Sequence, residues 1–125
     1  MIKPWIIETL GKFAQSIGID NFQLPDNNVV CFHFERSGRL FIEFNDETVI
    51  LYLANQIGVE NTSLLEKALY ACHYKEPLPC LVNVGLRGED MLIFLVKIPL
   101  SEFNLPSLEK ALSMLIQLYN NIKQE

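Results

Sequence analysis

The stretch VVCFHFERSGRLFIEFNDETVILYL, residues 29–53, decides how this chain is read. It is rich in β-branched and aromatic residues and is cut twice by turn chemistry, at Ser37-Gly38 and at Asn45-Asp46-Glu47. Apolar runs separated by short turns predict consecutive antiparallel strands, here over residues 29–35, 39–45 and 48–53. Side chains alternate between the two faces of a strand. Val30, Phe32 and Phe34 therefore share a face, as do Leu40, Ile42 and Phe44, and Val49, Leu51 and Leu53 continue the pattern. The other faces carry Cys31, His33, Glu35, Phe41, Glu43, Ile50 and Tyr52. That second set is mixed rather than polar, which is unusual for a sheet with one face in water.

Before this meander, Ile2, Ile6, Leu10, Phe13 and Ile17 recur at helical spacing, with Trp5 and Ala14 widening the stripe. Pro4 suits a first helical turn and Gly18 a stop. A loop over residues 20–28, containing Leu24-Pro25-Asp26-Asn27, leads into the first strand. After the meander, Asn61-Thr62-Ser63 supplies capping chemistry, with Glu66 three residues beyond Ser63. Leu64, Leu65, Ala68, Leu69 and Cys72 form a short apolar stripe that Pro77 and Pro79 end. Residues 80–87 and 91–98 read as a second hairpin around Gly88-Glu89-Asp90. The later of these strands is apolar on both faces, so it is expected to be central, and Pro99 stops it. Asn104 and Pro106 open a last helix. Its Leu105, Leu108, Leu112, Leu115, Tyr119 and Ile122 form one stripe, thickened by Ala111, Met114, Ile116 and Leu118. The tail Lys123-Gln124-Glu125 reads as solvated. The expected fold is α+β: helix, three-stranded antiparallel meander, helix, β-hairpin, helix, with one twisted antiparallel sheet packed by helices. No repeat or linker divides it, so residues 1–125 are read as a single domain.

The 125 residues are 50% hydrophobic and 20% charged, with a formal net charge of -5. The mean hydropathy is +0.18 and the sequence pI about 5.0. This apolar excess fits either a dimer interface or adhesive groove, or a well-filled core. No basic stripe is present, which excludes nucleic acid and anionic membrane as expected partners. The N-terminus lacks the pattern of a secretory signal. No apolar run reaches the ~18 residues of a membrane span. Cys31, Cys72 and Cys80 are read as reduced, mostly buried thiols of a cytosolic protein.

Catalytic chemistry is hard to assemble from these residues. Cys72, His73 and Cys80 make only a fragment of a zinc site, which wants four ligands in paired spacings. A Cys72–His73 nucleophile would sit on an apolar stripe, where an inert core thiol is expected. Gly85-Leu86-Arg87-Gly88 lacks the lysine and the strand–loop–helix setting of a phosphate loop, and reads as a bulge and hairpin. The carboxylates Glu43, Asp46, Glu47, Glu89 and Asp90 cluster at hairpin ends, as turn residues do. No enzyme, metal or cofactor is expected.

The joint order of several motifs carries a resemblance. They are Trp5-Ile6, Leu10, Phe13, Gln15 and Gly18-Ile19 in the first helix, Ser37-Gly38-x-Leu40, and Leu51-x-Leu53-Ala54. Further along come Leu78-Pro79, Phe94-x-Val96, and Leu105-Pro106-x-Leu108-x-x-Ala111 leading to Leu115 and Leu118. Over nearly its whole length the chain resembles the class I type III secretion chaperones (the CesT/SycE-like fold), most closely the SycN-like branch. Each motif alone is cheap apolar periodicity; the order and spacing together carry the likeness.

The resemblance implies a non-enzymatic chaperone of the bacterial cytoplasm, serving protein transport and virulence and meeting the inner membrane only through the secretion apparatus. It implies a dimer that binds the non-globular N-terminal segment of a secreted effector and keeps it extended. In the SycN-like branch the client is the gatekeeper of secretion, and the dimer partner is a second, different small chaperone. Such a segment adds to a sheet edge with side chains in apolar pockets. Ordering it costs entropy, so broad apolar contact is needed. Client-binding candidates are Trp5, Phe13, Ile17, Phe32, Phe41 and Ile50; the plain alternative for each is core packing. Phe41 leads, because alternation sets it opposite Leu40 and Ile42. The second helix and the strand over 80–87 are the family's usual dimer surface, with Leu65, Leu69, Val82, Val84 and Leu86 as candidates. The competing readings are a generic α+β adaptor or assembly subunit that binds a folded partner, and a small enzyme using Cys72 or His73.

Overall fold

Backbone pairing confirms the α+β order. The computed structural model describes residues 3–19, 22, 29–34, 37–57, 62–72, 82–88 and 90–123. Its elements are α1 (Pro4–Ser16), β1 (Val29–Phe34), β2 (Gly38–Phe44), β3 (Thr48–Gln56), α2 (Thr62–Ala71), β4 (Asn83–Arg87), β5 (Met91–Pro99) and α3 (Leu105–Lys123). Among the described residues the strands form one antiparallel sheet in the order β1-β2-β3-β5-β4. The doubly apolar β5 is thus internal, as its sequence required.

Register sorts the side chains. Phe32↔Leu40↔Leu53↔Phe94 and Val30↔Ile42↔Leu51↔Val96 are rows of one face. That face meets the helices and forms the core with Leu10 and Phe13 of α1 and Leu108 and Leu115 of α3. Phe13 packs edge-to-face on Phe32, with centroids 5.2 Å apart. Phe103, just before α3, receives Trp5 at 6.4 Å and Phe44 at 5.7 Å, closing the same layer.

Several boundaries differ from the sequence reading. β3 continues past Leu53 to Gln56, because Ala54, Asn55 and Gln56 pair with Ile93, Leu92 and Met91. Pairing with a central strand overrides the weak β-preference of Ala and Asn. α2 already includes Thr62, so Ser63 lies inside its first turn rather than capping it. Leu100–Glu102 form a 3-10 turn that apolar periodicity does not register, since a single turn has no repeat. β4 begins at Asn83, and Val82 before it is buried outside the strand. Ile2, the loop over 20–28 apart from Phe22, Glu35, Asn61, His73, Pro77, Leu78-Pro79, Cys80, Glu89 and the tail at 124–125 lie outside the described residues.

Candidate binding surface

The sheet's second face is where the apolar excess of the sequence comes to rest. Its rows are His33↔Arg39↔Ala54↔Ile93↔Gly85, then Cys31↔Phe41↔Tyr52↔Leu95↔Asn83, then Glu43↔Ile50↔Lys97. The helices pack on the other face, whose side chains make up the core. The centre of this face is nevertheless apolar. Phe41 and Tyr52 stack at 4.9 Å and 14°. The Arg87 guanidinium lies over both rings, 5.5 Å from the Tyr52 centroid and 6.0 Å from that of Phe41. Ile50, Ile93 and Leu95 surround them, each half-buried. Tyr52 is 8% exposed on a face no described helix covers. Gly85 adds no side chain, and a Cβ there would meet nothing within 4 Å, so the β4 side of the face stays low.

The six residues expected to bind a client fall into three places. Phe13 and Phe32, at 1% and 2% exposure, are core residues: helical and strand alternation aims both inward, and their rings fill the layer between α1 and the sheet. Trp5 is 40% exposed at the start of α1, and Ile17 is half-buried just beyond its end. Phe41 and Ile50 stand on the helix-free face, in adjacent rows. The dimer set divides similarly. Val82 is buried in the core, because it precedes β4 under the sheet's edge. Val84 and Leu86 oppose Phe94 and Leu92 and so point to the helix side. Leu65 is half-buried, whereas Leu69 and Leu86 are prominent, as is Tyr70, which sequence reasoning missed. Ile93, Leu95 and Arg87 were also missed as candidates for this surface, and Tyr52, which alternation had already placed on the second face, was not singled out. Ile93 and Leu95 were visible in principle, as the second face of a strand already recognised as doubly apolar. Arg87 was not, since a cation on an edge strand carries no sign of the rings it reaches.

No acid–base or nucleophilic machinery gathers on the described surface. Cys72 is half-buried, and burial pushes its thiol up. Burial also pushes the exposed Cys31 thiol up, partly opposed by the nearby Arg39. Both shifts favour the unreactive thiol over the thiolate. Among the described residues no group of three or more His, Cys, Asp or Glu is placed to hold a metal ion. Among the described residues no helix is long and apolar enough to cross a membrane. An open groove of about 420 Å³ runs beside α1, lined by Glu8, Gly11, Lys12, Gln15, Ile19 and Phe22.

Comparison with known proteins bears on the same architecture. The family described as "Type III secretory system chaperone SycN" matches residues 5–123. No curated protein sequence matches. Among solved structures, the HopA1–SchA chaperone–effector complex superposes with a TM-score of 0.70 at 14% identity, over 97% of this chain and 94% of that one. The Yersinia pestis type III secretion chaperone SycH, solved with a stable fragment of YscM2, gives 0.68 at 12% identity, over 92% and 97%. An uncharacterized protein from Methanothermobacter thermautotrophicus gives 0.63 at 12% identity, over 93% and 92%. At these identities the superpositions establish the fold; the family match carries the lineage.

Proposed function

The chain belongs to the type III secretory system chaperone SycN family, and on that premise we propose that it shelters the non-globular N-terminal segment of a secreted protein on its helix-free sheet face. The observation that carries this is the apolar floor of Phe41, Ile50, Tyr52, Ile93 and Leu95 on a face that no described helix covers. A monomer gains nothing from apolar side chains left there, whereas a segment with too little hydrophobicity to fold alone gains from covering them. The relatives are compatible with this use: SchA was solved with an effector, SycH with a fragment of YscM2, and ExsC with ExsE.

The family is one of chaperones rather than enzymes, and the raised thiols of Cys31 and Cys72 favour a non-catalytic role here too. The client is a gatekeeper of secretion and the working form a dimer in the bacterial cytoplasm, touching the inner membrane only through the secretion apparatus. Leu69, Tyr70 and Leu86 supply the exposed part of the dimer surface, with Leu65 and Val84 behind them.

Co-expression with the N-terminal region of a secreted gatekeeper tests the reading. The expected result is a soluble complex in which that region resists limited proteolysis, and loss of the protection in Phe41→Ser. A client segment cleaved as fast with the chaperone as without it overturns the proposal. Protection of a folded domain instead would favour an adaptor.

A further inference from the structure

The helix-free face has a charge opposite in sign to the molecule's. The chain carries a formal net charge of -5, yet Arg39, Arg87 and Lys97 stand on this face, with Glu43 as its one carboxylate among the described residues. Asp90 lies at the rim and accepts a hydrogen bond from the Gln56 amide at 3.0 Å. Among the described residues none of the three cations makes an ion pair. They are distributed, not clustered. Arg39 lies between His33 and Ala54 in its row, Lys97 sits beside Ile50, and Arg87 reaches in from the edge strand β4. The apolar floor is thus framed by positive charge on three sides.

We infer that the segment taken by this face is apolar at its centre and acidic at its flanks, and that Arg87 is the principal specificity determinant. The inference rests on the docking reading above and names the chemistry of the docked segment. Arg87 suits the role physically. A guanidinium lying over aromatic rings keeps its edge N–H groups free for bidentate donation to a carboxylate. Because Tyr52 and Phe41 already hold it, it loses less freedom on pairing than a loose side chain does. The acidity of the rest of the molecule does not cancel this preference. The nine residues of β3 run about 30 Å at ~3.3 Å per residue, while charges in physiological salt are screened over about 8 Å. A docked segment therefore responds to the cations of the face itself.

The test uses two fluorescein-labelled peptides with one common centre of alternating Leu, Ile and Phe, flanked either by Glu or by Lys. Anisotropy titrations with the full chain are run at about 50 mM and about 500 mM NaCl. Three surface ion pairs predict that the Glu-flanked peptide binds roughly tenfold tighter at low salt, with the gap closing at high salt. In Arg87→Glu/Lys97→Glu the preference reverses; in the milder Arg87→Gln/Lys97→Gln it disappears. Phe41→Ser weakens both peptides alike. Equal binding of the two peptides, a preference for Lys flanks, or a preference untouched by charge reversal overturns the charge inference while leaving the docking reading intact. Binding of neither peptide overturns both.

Discussion

At the residue scale, two glycines show opposite demands of the backbone. Gly38 opens β2 at φ 98, and a Cβ there would run into the Asn55 side chain and the Ala54 carbonyl. Left-handed backbone and close approach together require glycine. Gly38→Ala is expected to cost about 1–3 kcal/mol in urea unfolding. Gly11 is different: it lies inside α1 and a Cβ would meet nothing within 4 Å. There Gly11→Ala should stabilise the isolated chain by about 1 kcal/mol, the difference in helix propensity. A destabilised Gly11→Ala would show that the groove beside α1 is narrower than described. The same scale shows what the sequence could reveal. The inward partners Leu40, Ile42, Leu51 and Leu53 were legible because alternation alone sorts them. Phe13 and Phe32 were equally apolar on paper as core or as pocket. Only the depth of packing between α1 and the sheet decides that they are core, and depth is set by residues distant in sequence.

At the scale of elements, α3 begins with a reciprocal cap. The Ser107 N–H donates to Asn104 Oδ1 at 2.8 Å, and the Asn104 N–H donates to Ser107 Oγ at 2.9 Å. Pro106 follows Leu105 in the first turn, where a missing N–H is harmless. This start was readable from Asn104 and Pro106 alone, because caps are local chemistry. Asn104→Ala removes one of the two bonds and should cost about 1 kcal/mol. Asn104→Asp should recover most of it, since it keeps the acceptor and adds charge at the helix's positive end. Failure of Asp to restore the midpoint would show that the cap contributes little. α2 was harder to place, since its leading Thr62 and Ser63 offer alternative caps one residue apart.

Cys72, just past α2, and Tyr119 of α3 also set an alkaline limit. Burial pushes the Cys72 thiol above its ordinary 9.0 and the Tyr119 hydroxyl above its ordinary 10.0. Each group then holds its proton more tightly folded than unfolded. The unfolded chain therefore binds fewer protons at high pH, and stability falls as pH rises. The contribution is fully present below the unfolded values and is lost as pH climbs through the raised ones. Urea midpoints should thus be level between about pH 7 and 8 with respect to these groups, and decline above about pH 9. The decline should be shallower in Cys72→Ser/Tyr119→Phe. An identical alkaline slope in that variant would assign the loss to other groups.

For the whole molecule, the sheet divides labour between its faces. One face, where Leu92 and Phe94 are fully buried together with Leu115 of α3, carries the stability. The other carries apolar surface that the fold itself does not consume. The sequence showed this excess but not its partition, because face assignment at β4 depends on the register with β5. Leu86 illustrates the point. It opposes Leu92 on the helix side yet remains 45% exposed, at the edge of the sheet. Leu69 and Tyr70, 53% and 73% exposed on α2, add to the uncovered apolar area. Three such side chains are costly to leave in water, at roughly 25 cal/mol per Å². A lone chain should therefore self-associate. Light scattering after size exclusion is expected to show a dimer, or aggregates that a second small chaperone resolves into a defined complex. Leu69→Ser/Tyr70→Ser/Leu86→Ser should give a folded monomer, with stability within about 1 kcal/mol of the parent, because exposed positions contribute little to the core. A parent chain that runs as a stable monomer and ignores every candidate chaperone would remove the dimer from the proposal. It would leave the sheet face as the proposed interaction surface, with the peptide preference of Arg87 as its signature.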